Sequence, residues 1–132
     1  MSLKTALRWL LAFFMTSAGI LHFVNPGQFV RIVPDCLPAP LALVYVSGFF
    51  EILGGVGLLI PALIRPAAWG LIALYLAVFP ANLNMALHDI PFGETPAPRS
   101  VLWLRLPVQL VLIAWAFWYT RKPNKKGPPL SR

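Results

Sequence analysis

The chain has 132 residues, 58% of them hydrophobic and only 11% charged, with a formal net charge of +7. A soluble domain carries about twice that charged fraction, so the composition excludes an ordinary soluble fold and leaves one small integral membrane unit. The positive charge gathers at the two ends of the chain and forms no basic stripe interleaved with exposed aromatics, so nucleic acid is not an expected partner.

Four apolar blocks follow one another, each long enough to cross a bilayer as helix, which takes roughly 20 residues. The fold class expected is all-α: a four-helix membrane bundle occupying residues 1–120 as a single domain. The first span is expected at about 5–24, with Lys4 and Arg8 before its most apolar part and Trp9 as an interfacial aromatic. A cleavable signal peptide is the competing reading, because Ser17, Ala18 and Gly19 offer small residues after a short apolar core. Apolar character continuing to Val24 and three further spans favour a retained helix. Asn25, Pro26 and Gln28 form a helix-start pattern, and Phe29, Ile32 and Val33 can share one face, so a short helix over residues 26–33 should lie at the membrane surface. Pro34, Pro38 and Pro40 then impose an irregular connection, which carries the lone cysteine, Cys36. With no second cysteine, no disulfide or CxxC redox pair can form within the chain.

The second span, about 41–60, contains Glu51 near its middle. A carboxylate at that depth costs about 2.5–3.5 kcal/mol on insertion scales, so the protein must solvate, pair or protonate it. Ser47, Glu51 and Gly55 share a face at i, i+4 and i+8, and the surrounding glycines allow close helix approach. The third span, about 67–88, contains Pro80, which removes a backbone donor and frees the Leu76 carbonyl. Asn82, Asn84 and His88 follow it, with Asn84 and His88 on one face and Asn82 on another. A solvent-exposed loop from Asp89 to Ser100 leads to the fourth span, about 101–119, in which Arg105 and Gln109 share a face. Trp118 and Tyr119 end it as an aromatic belt. Residues 121–132 form a basic tail expected to be disordered.

Lys4, Arg8, Arg65, Arg121, Lys122, Lys125, Lys126 and Arg132 fall on one side of a four-span topology, against Arg31, Arg99 and Arg105 on the other. The bias of eight to three puts both termini in the cytoplasm. On that topology His22, Asn82, Asn84, His88 and Arg105 lie in the outer half of the bundle, with Glu51 as its floor. This clustering implies a cavity open to the outer face. His22, Glu51, Asn82, Asn84, His88 and Arg105 are the candidate ligand-binding residues. Glu51 should be coupled to Arg105 or to a histidine. Two histidines and a carboxylate make only a weak metal signal, since no HxxxH or CxxC pair is present. Each of these residues also has a structural reading, as an ion pair, an interfacial histidine or a partner for backbone freed by Pro80.

Several segments resemble the DoxX-like family: Gly19 to Phe23 with Asn25-Pro26, Ile32-Val33-Pro34, Ser47-Gly48 with Glu51 and Gly54-Gly55, Pro66 to Gly70, and Phe79 to Asn82 through Met85-Ala86 and His88. The resemblance covers roughly residues 10–120. It implies a bacterial inner-membrane four-helix protein, in some members similar to the quinone-reducing subunit of a thiosulfate oxidoreductase and in others associated with redox-defence enzymes. Quinone is the cofactor so implied. With one cysteine here, a redox role requires a partner subunit to deliver electrons. The alternative is a non-enzymatic membrane assembly factor or small-molecule-binding protein whose buried polar cluster is structural. A transport path would require a homo-oligomer.

Overall fold

A computed structural model describes residues 1–90 and 98–121. The expectations for the centre of the loop before the fourth span and for nearly all of the basic tail lie outside the described residues. The described chain is all helical: α1 (Leu3–Val24), α2 (Pro26–Val30), α3 (Pro40–Gly57), a 3-10 turn (Pro61–Leu63), α4 (Ile64–Leu87) and α5 (Arg99–Trp118). Four of these helices are long and apolar enough to cross a membrane, and their outer faces carry Phe13, Val46, Phe49, Leu53, Leu76 and Leu110 exposed. The protein is a multi-pass membrane protein with a short helix between the first and second spans.

The helix ends depart from the sequence expectation for local reasons. Ser2 caps α1 two turns before Trp9: its Oγ accepts from the Thr5 amide at 3.2 Å. Asn25 does not cap α2 through its side chain; its backbone N–H closes α1 onto the Leu21 carbonyl. The surface helix stops at Val30, three residues short of expectation. α3 begins at Pro40, a residue preset for the first helical turn. Ala39 just before it adopts φ 49° and ψ 61°, left-handed backbone that costs an L-residue about 1–2 kcal/mol. α4 ends in a Schellman turn, with Asp89 at φ 51° and the Ile90 amide bonded to the Met85 carbonyl at 3.1 Å.

Helices α1 and α3 pack most intimately, followed by α4 with α5 and α3 with α4. Glycine makes the first of these possible. A Cβ at Gly19 would meet the Gly48 carbonyl at 2.7 Å, and one at Gly55 would meet the Ala12 carbonyl at 2.9 Å. Backbones this close gain dispersion contact that lipid does not supply. Leu11, Ala12 and Met15 of α1, Leu58 just past α3, Ala68, Leu71 and Tyr75 of α4, and Ala116 of α5 form one buried core. Tyr75 crosses it, its hydroxyl donating to the Met15 sulfur at 2.7 Å.

One end of the bundle is tied by polar contacts. The Tyr119 hydroxyl donates to the Lys4 carbonyl at 2.9 Å, Arg65 Nε donates to the Thr120 carbonyl at 3.0 Å, and the Lys4 ammonium lies 5.4 Å from the Trp118 ring. The start of α1, the start of α4 and the end of α5 therefore share this end. The surface helix α2 and the Asp89–Arg99 ion pair, at 3.1 Å, occupy the other.

Candidate functional site

The half of the bundle away from the tied end holds a partly open cavity of about 660 Å³. That volume falls in the range of roughly 300–1,000 Å³ typical of small-molecule pockets. Its walls come from the far half of α1, from α2 and the segment after it, from the first two-thirds of α3, and from the adjoining halves of α4 and α5. Most of the lining is apolar, including Phe14, Met15, Phe50, Leu74, Val78, Val108 and Leu112. The polar side chains set into it are His22, Ser47, Glu51, Tyr75, Asn82, Arg105 and Gln109.

Glu51 is buried on the α3 face turned toward α1. Its Oε2 lies 3.1 Å from His22 Nδ1. The same nitrogen lies 2.7 Å from the Ala18 carbonyl, one helical turn back, and a carbonyl can only accept. Nδ1 therefore carries a proton directed at Ala18. Its approach to Glu51 is close but not an aligned hydrogen bond, and Oε2 is buried without one from the described residues. Phe29 of α2 stacks on the other side of the imidazole, with centroids 3.8 Å apart and planes at 18°. His22 is thus fixed by its own helix, by the surface helix and by the carboxyl group. Of the two partners expected for Glu51, the histidine is the one held in contact.

On the opposite wall, Asn82 Nδ2 donates to Gln109 Oε1 at 2.7 Å, and Gln109 Nε2 donates to the Tyr75 carbonyl. That carbonyl is one residue before the one Pro80 deprives of its donor. The amide of Gln109 thus bridges α5 to α4 beside the proline. Arg105 lies one turn before Gln109, and its Nη1 contacts the Met85 sulfur at 3.5 Å.

The six candidate residues divide. His22, Glu51, Asn82 and Arg105 line the cavity. Asn84 and His88 do not. Asn84 Nδ2 donates to the Ile32 carbonyl at 3.1 Å, pinning the segment after α2 to α4, and His88 is exposed with Nδ1 on the Asn84 carbonyl. Gln109 and Tyr75 belong to the lining but were not among the candidates. The i, i+4 spacing of Gln109 from Arg105 was the signal for the first. Nothing marks Tyr75 apart from other aromatics in an apolar span. Among the described residues, no three of His, Cys, Asp and Glu gather to hold a metal.

Fold and cavity together define a multi-pass helical membrane protein with an internal amphipathic pocket. The chain belongs to the family described as Domain of unknown function (DUF8561), whose model matches residues 11–120 and so takes in the whole cavity lining. No curated protein and no solved structure matches the chain.

Proposed function

We propose that this is a DoxX-like protein of the bacterial inner membrane whose cavity binds a lipophilic quinone-type molecule, as a subunit of, or support for, a quinone-linked oxidoreductase. The observation that carries the binding part is the cavity, in which a few placed polar groups face apolar walls. The redox part rests on the resemblance of the sequence motifs around His22, Ser47, Glu51, Pro80 and Asn82. The ring of such a ligand fits between apolar side chains, with Arg105 donating to one oxygen, since a guanidinium only donates. His22 and Glu51 face the other end, where the carboxyl group accepts from a hydroxyl of the reduced ring. Reduction of a quinone consumes two electrons and two protons, and Cys36 alone cannot supply the electrons, so a partner redox subunit delivers them.

The test is quinone binding to protein purified in mild detergent, with mass analysis of extracted lipids, for wild type and for His22→Ala and Arg105→Ala variants of unchanged melting temperature. Wild type should retain quinone and both variants should lose it by tenfold or more. Absence of quinone binding in wild type overturns the redox reading. A second reading, a non-enzymatic assembly factor, is favoured by the Asn82–Gln109–Tyr75 chain, whose two hydrogen bonds join α4 to α5 within the protein. It takes precedence if the variants lose a specific partner on pull-down with ligand content unchanged.

We place both termini in the cytoplasm, from the eight-to-three Lys/Arg bias, which sets the cavity in the outer half of the membrane. Reporter fusions after Arg65 and after Arg132 should be active only as cytoplasmic reporters, and fusions at Asp35 should report the outside. The reverse pattern would invert the protein.

A further inference from the structure

We infer that the cavity is loaded sideways from the lipid, through a cleft between α1 and α5, by a tailed amphiphile whose head hydroxyl donates to Glu51. This rests on the small-molecule part of the reading above and is independent of its redox part.

The cleft is a second groove of about 310 Å³, lined by Leu10, Phe14, Val108, Val111, Leu112 and Trp115. Phe14, Val108 and Leu112 also line the main cavity, so the two spaces adjoin along those side chains. The helices that flank it are held elsewhere: α1 packs chiefly on α3, and α5 on α4. Between themselves they are joined at the tied end by the Tyr119–Lys4 hydrogen bond. The one polar group in the groove lining, the Trp115 indole N–H, is directed to the Tyr119 hydroxyl at 3.3 Å. What the groove offers is therefore apolar surface.

Toward water, the cavity is flanked by the segment after α1. Phe29, Ile32, Val33, Pro34 and Leu37 turn apolar side chains into the cavity from the segment that lies over it. Asn84 pins that segment through the Ile32 carbonyl, and Phe29 is stacked on His22. A ligand arriving from water passes this pinned segment, whereas one arriving through the groove passes only apolar side chains.

The division of labour between tail and head follows from the solvent. A hydrocarbon tail moving from lipid into an apolar groove exchanges one apolar surrounding for another, so the tail orients the ligand and adds little affinity. Selectivity then falls to the head. Glu51 Oε2 is buried and receives no hydrogen bond from the described residues, while the neighbouring Nδ1 proton is committed to Ala18. A head that donates satisfies that oxygen, and a head that only accepts leaves it bare. Leaving a buried acceptor unsatisfied costs about 1–3 kcal/mol, roughly fivefold to a hundredfold in affinity. A phenol or hydroquinone should therefore bind better than the same ring with its hydroxyl masked.

The experiment uses the full-length protein in lipid nanodiscs with three probes: a long-chain alkylphenol, its methyl ether and 4-methylphenol. Val111, which lines only the groove and is 63% exposed, is changed to Trp to fill it, with Leu10→Trp as an independent filling variant. Wild type should bind the alkylphenol about tenfold or more tightly than the ether. Both filling variants should slow or weaken alkylphenol binding severalfold while 4-methylphenol binding is unchanged. Equal binding of phenol and ether overturns the assignment of Glu51 as acceptor. Unchanged alkylphenol binding and kinetics in both folded filling variants overturns the lateral entrance, with the pocket itself intact. If neither phenol binds wild type, the small-molecule reading falls with it.

Discussion

Replacing Gly48 with alanine should lower the melting temperature in detergent and detach His22 from Glu51. The added Cβ would lie 2.6 Å from His22 Cβ and 3.0 Å from the Gly19 carbonyl. Both atoms are fixed by the α1 backbone, so no side-chain end can swing aside and α1 must move off α3. Overpacking of this kind costs about 1–3 kcal/mol. The control is Gly70→Ala, on α4, where a Cβ would meet nothing within 4 Å. That variant should melt at or above the wild-type temperature, because alanine is the better helix former. Equal melting of the two variants would show that the α1–α3 seam has slack. Because the displaced atom is His22 Cβ, Gly48→Ala should also weaken ligand binding, although Gly48 itself is not part of the cavity lining.

The second large effect expected is a coupling between His22 and Glu51. Removing one member of a buried polar contact leaves the other in apolar surroundings, at a cost of about 1–3 kcal/mol. The double variant His22→Ala/Glu51→Gln should then be less destabilised than the sum of the single changes, by about 0.5–3 kcal/mol. The same cycle run with Arg105→Gln in place of His22→Ala should give a smaller coupling, because His22 is the group held 3.1 Å from the carboxylate. Chemical denaturation in detergent micelles reads both cycles. A larger coupling to Arg105 would mean that the carboxyl group turns toward α5 in solution.

Much of this molecule is legible in its sequence, for an identifiable reason. Bilayer solvent demands long apolar helices, so four of them can be counted, and an acidic residue inside one must have company. What cannot be read is rotation about each helix axis. Asn82 and Asn84 are two residues apart and point to different sides of α4. Which of them faces the cavity depends on how α4 meets α5, which Gln109 fixes by bridging to Asn82 and to the Tyr75 carbonyl. The choice of His22 over Arg105 as the neighbour of Glu51 is likewise set by the contact of Gly19 with Gly48, a relation between two helices that neither displays alone. Helix ends shifted by one or two residues where a single side chain or turn decided them, as with Ser2, Pro40 and Asp89.

The bond from Tyr119 to Lys4 joins residues 115 apart in the chain. Every extensive helix contact in the bundle is between helices that are close in chain order. The entropy of closing a loop is least for such short separations. Assembly can therefore proceed as a succession of hairpins as the chain is made, and the Tyr119–Lys4 bond has no part in choosing the fold. It acts on the finished molecule as a clasp: it joins α1 and α5 at one end of a seam along which the two helices otherwise pack little.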